Sequence, residues 1–205
     1  FRFEEEPAGL EDGQTYAVND FELASRLSFF IWSSIPDEEL LAVAESGELT
    51  DPDILEQQIQ RMLQDPKSRS LVENFASSWL SLGQLNSVNP TSTEFDGSLR
   101  VAMKRETELL LESVMLEDRN VMELLTANYT YVNERLAKHY GIPNIRGSHF
   151  RKVDLNGTGR QGLLGHGSIL TITSAPNRTS PVIRGAWIME NLLGTPPPPP
   201  PPGVE

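Results

Sequence analysis

The chain has no cysteine. That removes disulfides, thiolate zinc sites, iron–sulfur clusters, a thiol nucleophile and covalent haem attachment from these 205 residues. Histidine is scarce: His139, His149 and His166 are the only three. No two of them stand four apart, and no His-Glu-x-x-His occurs, which argues against zinc hydrolysis and leaves no metal site to name. Apolar runs stay short, as in Phe29-Phe30-Ile31-Trp32, far below the roughly 20 residues of a membrane span. Basic residues are in the minority, 17 against 29 acidic, for a net charge of −12. Such a field repels phosphate backbones, so nucleic acid and anionic membrane are poor partners. It suits solubility, or the steering of a basic partner such as a small cationic redox protein.

Familiar catalytic signatures are missing as well. Gly167-Ser168-Ile169 lacks the second glycine of a nucleophile elbow, since position 170 is Leu. Gly157-Thr158-Gly159-Arg160-Gln161-Gly162 imitates a dinucleotide fingerprint, but no long buried strand precedes it, and we read a turn. The acid pairs Glu38-Glu39, Glu106 with Glu108, and Glu117-Asp118 read as solvated helix faces or helix starts. No catalytic residue is assigned.

What is present is helical. Asn19 or Asp20 can cap a helix running to about Ser33, apolar nearly all round and so expected to be central and buried. Pro36 is placed to open a second helix at its first position, with Gly47 ending it. Asp51-Pro52 and Asp65-Pro66 each combine a capping acceptor with proline at the first helical position. Leu55, Ile59, Met62 and Leu63 then form a one-sided stripe. Leu71, Val72, Phe75, Ala76, Trp79 and Leu80 continue a helix expected to stop near Gly83. A long helix is expected over about 97–117, a short one over 121–126, and another over 134–140, capped by Asn133 and closed by Gly141. No strand-like alternation competes over 19–141.

Beyond Gly141 glycine and proline become frequent. Residues 150–155 alternate and read as a short strand, and Asn156-Gly157 as a turn. Leu163–Thr173 reads as helix or strand, with helix preferred. Pro181–Leu193 reads as a helix entered by proline. The expected fold class is therefore mainly α: an irregular helical bundle, then a small mixed Gly/Pro-rich module, then a polyproline tail. The expected division is an arm over 1–18, a bundle over 19–145, the small module over 146–195 and a spacer over 196–205. Pro196–Pro202 must be polyproline II, roughly 20 Å long at about 3.1 Å per residue. A spacer between modules, with no initiator Met at Phe1, reads as an internal piece of a longer protein.

Two constellations stand out. His166 is flanked by Gly165 and Gly167, which would let either a flat group or another segment approach its backbone. Arg178 and Arg184 flank the proline-started helix, where free N–H groups and guanidinium forks could hold a carboxylate or phosphate, or tie to an acid of the same fold.

Several phrases together carry a resemblance. They are Phe21-Glu22-Leu23-Ala24-Ser25-Arg26-Leu27-Ser28-Phe29-Phe30-Ile31-Trp32, Arg61-Met62-Leu63-x-Asp65-Pro66, Asn74-Phe75-Ala76-x-x-Trp79-Leu80, Asn133-Glu134-Arg135-Leu136-Ala137-x-His139-Tyr140-Gly141 and the Gly162–Pro202 region. In these the chain resembles the planctomycete-type exported multidomain proteins that contain cytochrome c, in which two adjacent domains of unknown function precede a haem c motif. The resemblance implies a periplasmic or cell-surface setting, no cofactor within this chain, and haem c in an adjacent domain outside it. It also implies that His166, and less so His139 or His149, could contact that haem. Arg178 and Arg184 could meet an anion or a propionate. The leading reading is a non-catalytic scaffold beside that haem domain. The alternatives are an oxidoreductase site formed at the interface with it, and a surface module binding glycan or protein through Tyr129, Tyr131 and Tyr140.

Overall fold

The computed structural model describes residues 13–198 together with Gly9 and Glu11. Most of the proline run and half of the expected N-terminal arm lie outside the described residues. The remaining arm residues before Asp20 form neither helix nor strand. The architecture is mainly α, as expected. It divides into two compact units, Phe1–Asn74 and Phe75–Glu205. That division falls inside the span read from sequence as one bundle, and residues 146–195 share a unit with the long helix.

In the first unit, α1 (Asp20–Trp32) opens with a capping box, Asn19 accepting from the Glu22 N–H at 2.9 Å and Glu22 accepting from the Asn19 N–H at 3.1 Å. α2 (Glu38–Glu45) is capped by Asp37, which accepts from the Leu40 N–H at 3.0 Å. Pro36 therefore sits before the cap and not at the first helical position. Asp37 wins the cap because Arg61 holds it in place, through Nη1 to Oδ2 at 2.6 Å and Nη2 to Oδ1 at 3.0 Å. α3 (Pro52–Gln64) follows the Asp51 cap, as its Asp-Pro start predicts. Ala24, Ile31, Trp32, Leu40, Ala44, Leu49 and Met62 form the core, with Leu55, Ile59 and Leu63 packed against it. The Trp32 indole N–H donates to the Met62 carbonyl at 2.9 Å, using an acceptor the end of α3 leaves free. α1 is not buried all round: Phe21 is 54% and Phe30 58% exposed.

The helix expected from Asp65-Pro66 to Gly83 is broken. Residues 66–68 make a 3₁₀ turn, 71–76 a π-helical turn, Ser77–Trp79 a short α4, and 82–86 a second 3₁₀ turn after Ser81 at φ 56°.

The second unit is organised by α5 (Gly97–Leu116), which Asp96 caps by accepting from the Leu99 N–H at 2.7 Å. After α6 (Glu123–Thr126) comes a strand the sequence reading missed, β1 (Tyr129–Val132). It pairs antiparallel with β2 (Arg151–Asp154), Thr130 opposite Val153 and Val132 opposite Arg151. Tyr-Thr-Tyr-Val is aromatic and β-branched in strict alternation, so the signal was present but short. Thr130 and Val132 face inward. α7 (Glu134–Tyr140) lies between the strands in sequence, with the Asn133 cap and Gly141 stop as predicted. Leu99, Ala102, Met103, Val132, Leu136 and Ala137 form this core. A 3₁₀ turn at 163–165 leads into α8 (Gly167–Ile172). A tight hairpin, β3 (Ser174–Ala175) with β4 (Arg178–Thr179), then precedes α9 (Pro181–Asn191).

Candidate functional site

α5 carries Leu99, Met103, Leu110 and Val114 along its inward stripe. Glu106 and Thr107 stand three and four residues after Met103, so the same stripe turns them into the core. Glu106 and Thr107 are both 0% exposed, and Glu108 is 7% exposed. The reading of Glu106 and Glu108 as a solvated face is thus corrected. Helical period, and not charge, sets where these side chains go.

Around Glu106 the unit gathers polar groups from four elements. Thr130 of β1 donates through Oγ1 to Glu106 Oε1 at 2.6 Å, and Tyr140 of α7 donates through Oη to Oε2 at 2.5 Å. Both distances lie in the range of O–H donors to a carboxylate anion. The Gly167 N–H, at the start of α8, donates to Tyr140 Oη at 2.7 Å. His166 is 1% exposed. Its Nδ1 lies 3.0 Å from Thr107 Oγ1, its Nε2 lies 3.4 Å from Thr130 Oγ1, and Glu106 Oε1 is 4.0 Å from Nε2. Ser168, also fully buried, sets its Oγ 2.6 Å from Thr107 Oγ1. The Arg160 guanidinium covers the Tyr140 ring at 3.9 Å from its centre, while donating to the Gly165 carbonyl at 2.6 Å.

Glycine makes this approach feasible. A Cβ on Gly167 would stand 2.8 Å from Met103 Cε and 2.9 Å from Tyr140 Oη. Of the two sequence readings of the glycines beside His166, close packing of segments is the one the geometry displays. Burial holds the His166 imidazole below the usual histidine range; Glu106 pulls the other way and Arg160 adds to the lowering. Burial, with Glu106 beside it, pushes the Tyr140 phenol well above the usual tyrosine range.

The other sequence candidates do not join this cluster. His139 is exposed at the end of α7, its ring 5.7 Å from that of Tyr140. His149 is exposed, with Nδ1 3.4 Å from Arg151 Nη2. Arg184, half-buried on α9, donates from Nε to Thr173 Oγ1 at 3.3 Å. Arg178 is exposed on β4 and lines an open cavity of about 330 Å³ with Val88, Pro90, Leu170, Thr171 and Thr179. Among the described residues neither arginine is in an ion pair.

Two of the three tyrosines named from sequence are engaged within the unit, while Tyr131 lies edge-on to Tyr129 at 6.1 Å between ring centres. Tyr140 is spent on Glu106, and Tyr129 donates to Glu123 Oε2 at 2.8 Å under the Lys152 ammonium, 3.5 Å from its ring centre. No group of three or more metal-ligating side chains occurs among the described residues. No described helix is long and apolar enough to cross a membrane. The sequence has no thiol for thioether attachment of a haem, and both nitrogens of the buried His166 imidazole lie within reach of threonine hydroxyls.

Fold and site thus define a mainly α-helical protein whose larger unit is knotted around a buried carboxylate, imidazole and hydroxyl network. Residues 18–142, more than half of the chain, match the family model PSD4, protein of unknown function (DUF1592). The chain belongs to that family. Residues 160–205 match a second, PSCyt3, protein of unknown function (DUF1588). The network draws on both matched segments: Glu106, Thr107, Thr130 and Tyr140 lie in the first, Arg160, His166 and Ser168 in the second. Two adjacent domains of unknown function are what the planctomycete-type resemblance implied. No curated protein and no solved structure matches the chain significantly.

Proposed function

We propose that this chain is a non-catalytic scaffold module of an exported multidomain c-type cytochrome, packed beside a haem c domain outside these residues. The observation that carries the reading is α9. Val182 and Met189, seven apart on one side of the helix, are 82% and 37% exposed, and Leu193, just past the helix end, is 64% exposed, while Trp187 turns inward at 7%. This apolar stripe ends two residues before the proline run begins. Such a face, followed at once by a stiff spacer, suits a neighbour held at fixed distance. The PSCyt3 match over the same residues supports a cytochrome setting, and with it the periplasm or cell surface.

The test uses the intact parent protein. Its absorbance spectrum should show a Soret band, and a parent with no haem anywhere overturns the reading. In that parent, Val182→Asp with Leu193→Asp should speed proteolysis in the segments flanking the proline run without unfolding either unit; unchanged cleavage counts against the scaffold role.

A second reading, an oxidoreductase site shared with the haem domain, is favoured by one feature. Arg178 stands at the rim of a cavity with no ion-pair partner among the described residues. Loss of turnover on Arg178→Ala, with the Soret band unchanged, would move the assignment to this reading.

A further inference from the structure

The buried cluster has a direction, because each hydroxyl carries one proton. The protons of Tyr140 and Thr130 go to the two oxygens of Glu106. Thr130 Oγ1 then offers only lone pairs to His166, so the ring proton belongs on Nε2. Nδ1 is left as an acceptor and takes the proton of Thr107, 3.0 Å away; the Met103 carbonyl, at 3.4 Å from the same hydroxyl, is the weaker competitor. With the Thr107 proton spent, Ser168 must donate to Thr107 Oγ1. Ser168, Thr107, His166, Thr130 and Glu106 form one chain in which every donor points toward the carboxylate.

We propose that this one-way relay fixes His166 as the neutral Nε2–H tautomer at neutral pH and makes the seating of α8 on α5 and β1 acid-labile. A second ring proton, on Nδ1, would face the Thr107 proton head-on. Thr107 would have to turn to the Met103 carbonyl, exchanging a 3.0 Å bond for a 3.4 Å one. The imidazolium so formed would lie 99% out of water, with Glu106 at 4.0 Å and not hydrogen-bonded to it. The charged and titratable groups facing this point are few. They are Glu106 on α5, Tyr140 and behind it His139 on α7, and Arg160 over the Tyr140 ring. β1 turns only Thr130 and Val132 toward it, and the 3₁₀ turn at 82–86 and β3 carry no titratable side chain. Glu106 favours the extra proton; Arg160 and burial oppose it.

The test is made on the whole chain. Long-range proton–nitrogen correlation spectra should show His166 at pH 7 with a bare Nδ1 and a protonated Nε2. Below pH ~6.5, the ordinary histidine value, amide protection factors over 167–173 should fall by up to about tenfold per pH unit, the slope of one linked proton. Those of α1 should hold over the same range. Thr107→Val, which removes the donor to Nδ1, should lower protection of 167–173 already at pH 7, and Thr107→Ser should restore it. An imidazolium or an Nδ1–H tautomer at pH 7 overturns the relay. Protection of 167–173 unchanged down to pH 4 overturns the acid lability. Both readings come from the unaltered chain and Thr107→Ser, so they stand even if Thr107→Val does not fold.

Discussion

In the first unit the largest buried side chain is Trp32, set among Ala24, Ile31, Leu40 and Met62. In the second, a comparable depth is occupied by Glu106 and His166. Unit one also buries polar atoms, but satisfies them by separate bonds, some local, as Ser28 donating to the Ser25 carbonyl at 3.0 Å, and some distant, as the Trp32 indole donating to the Met62 carbonyl at 2.9 Å. Unit two links them into one connected network across the fold, Thr107 with His166 and Tyr140 with Glu106. Apolar packing tolerates any filler of the right volume. A directed network tolerates only the right donors, because each unmet buried group keeps its full desolvation cost. The two units are therefore expected to fail differently under the same kind of change.

The largest effect is expected at Glu106. Glu106→Ala strands the Thr130 and Tyr140 hydroxyls and should cost unit two ~3–5 kcal/mol, as for removal of one partner from a buried charged cluster. Glu106→Gln keeps the volume but turns an amide N–H₂ toward a hydroxyl donor, and should still cost ~1–3 kcal/mol. In unit one, the volume-conserving Met62→Leu should cost less than ~1.5 kcal/mol. Urea unfolding followed by hydrogen exchange of each unit checks all three. Glu106→Gln proving milder than Met62→Leu would erase the contrast. Next in size is Gly162→Ala, where φ is +48° and an added Cβ would lie 2.5 Å from the Leu125 backbone. Backbone cannot yield as a side-chain tip can, so ~3 kcal/mol or more is expected, read as a fall in Tm.

The same contrast governs how much the sequence disclosed. In unit one the start of α1 at Asn19 or Asp20, the Asp51 cap and the stripe Leu55, Ile59, Met62 and Leu63 were legible because they are local signals, while the place of Pro36 and the exposed side of α1 were not. The helix bounds of 134–140 and the proline entry at Pro181 in unit two were legible for the same reason. The network was not, because its partners stand far apart: Thr107 and His166 are 59 residues distant. One clue was available. Glu106 and Thr107 fall on the period of Met103 and Leu110, which should have outweighed the habit of placing charge on the surface. The broken helix between Pro66 and Gly83 had no such clue, since its apolar residues fit a continuous helix equally well.

Acid should separate the units. His166 titrates below its ordinary value, so the unfolded chain binds the proton first. Unit two therefore loses stability as pH falls below ~6.5, His166 contributing no more than about 1.4 kcal/mol per pH unit and His139, lowered chiefly by partial burial, acting in the same direction. In unit one, Asp37 is lowered mainly by its hydrogen bond to Arg61. Its contribution is complete above the ordinary aspartate value of 3.8 and is lost only as pH falls below that. At the alkaline end Tyr140 binds its proton more tightly when folded, so unit two weakens again above pH ~10. Exchange measured between pH 4 and 7 should show unit two opening while unit one holds. Parallel loss in both units would remove the distinction.

The smallest effect is expected where unit one does use charge. Lys67 places its ammonium 4.6 Å from the centre of the Trp32 ring, and Arg61 its guanidinium at 5.6 Å. Lys67 is exposed, so water competes for the ammonium, and Lys67→Ala should cost no more than ~1 kcal/mol. Arg61 contributes more, because it also fixes the Asp37 cap of α2; Arg61→Lys keeps the charge but cannot form the two-pronged bond. If charge over the ring mattered as Glu106 matters in unit two, Lys67→Ala and Arg61→Lys would cost alike. If unit one is held by its apolar core and local caps, Arg61→Lys should lower the urea midpoint clearly and Lys67→Ala hardly at all.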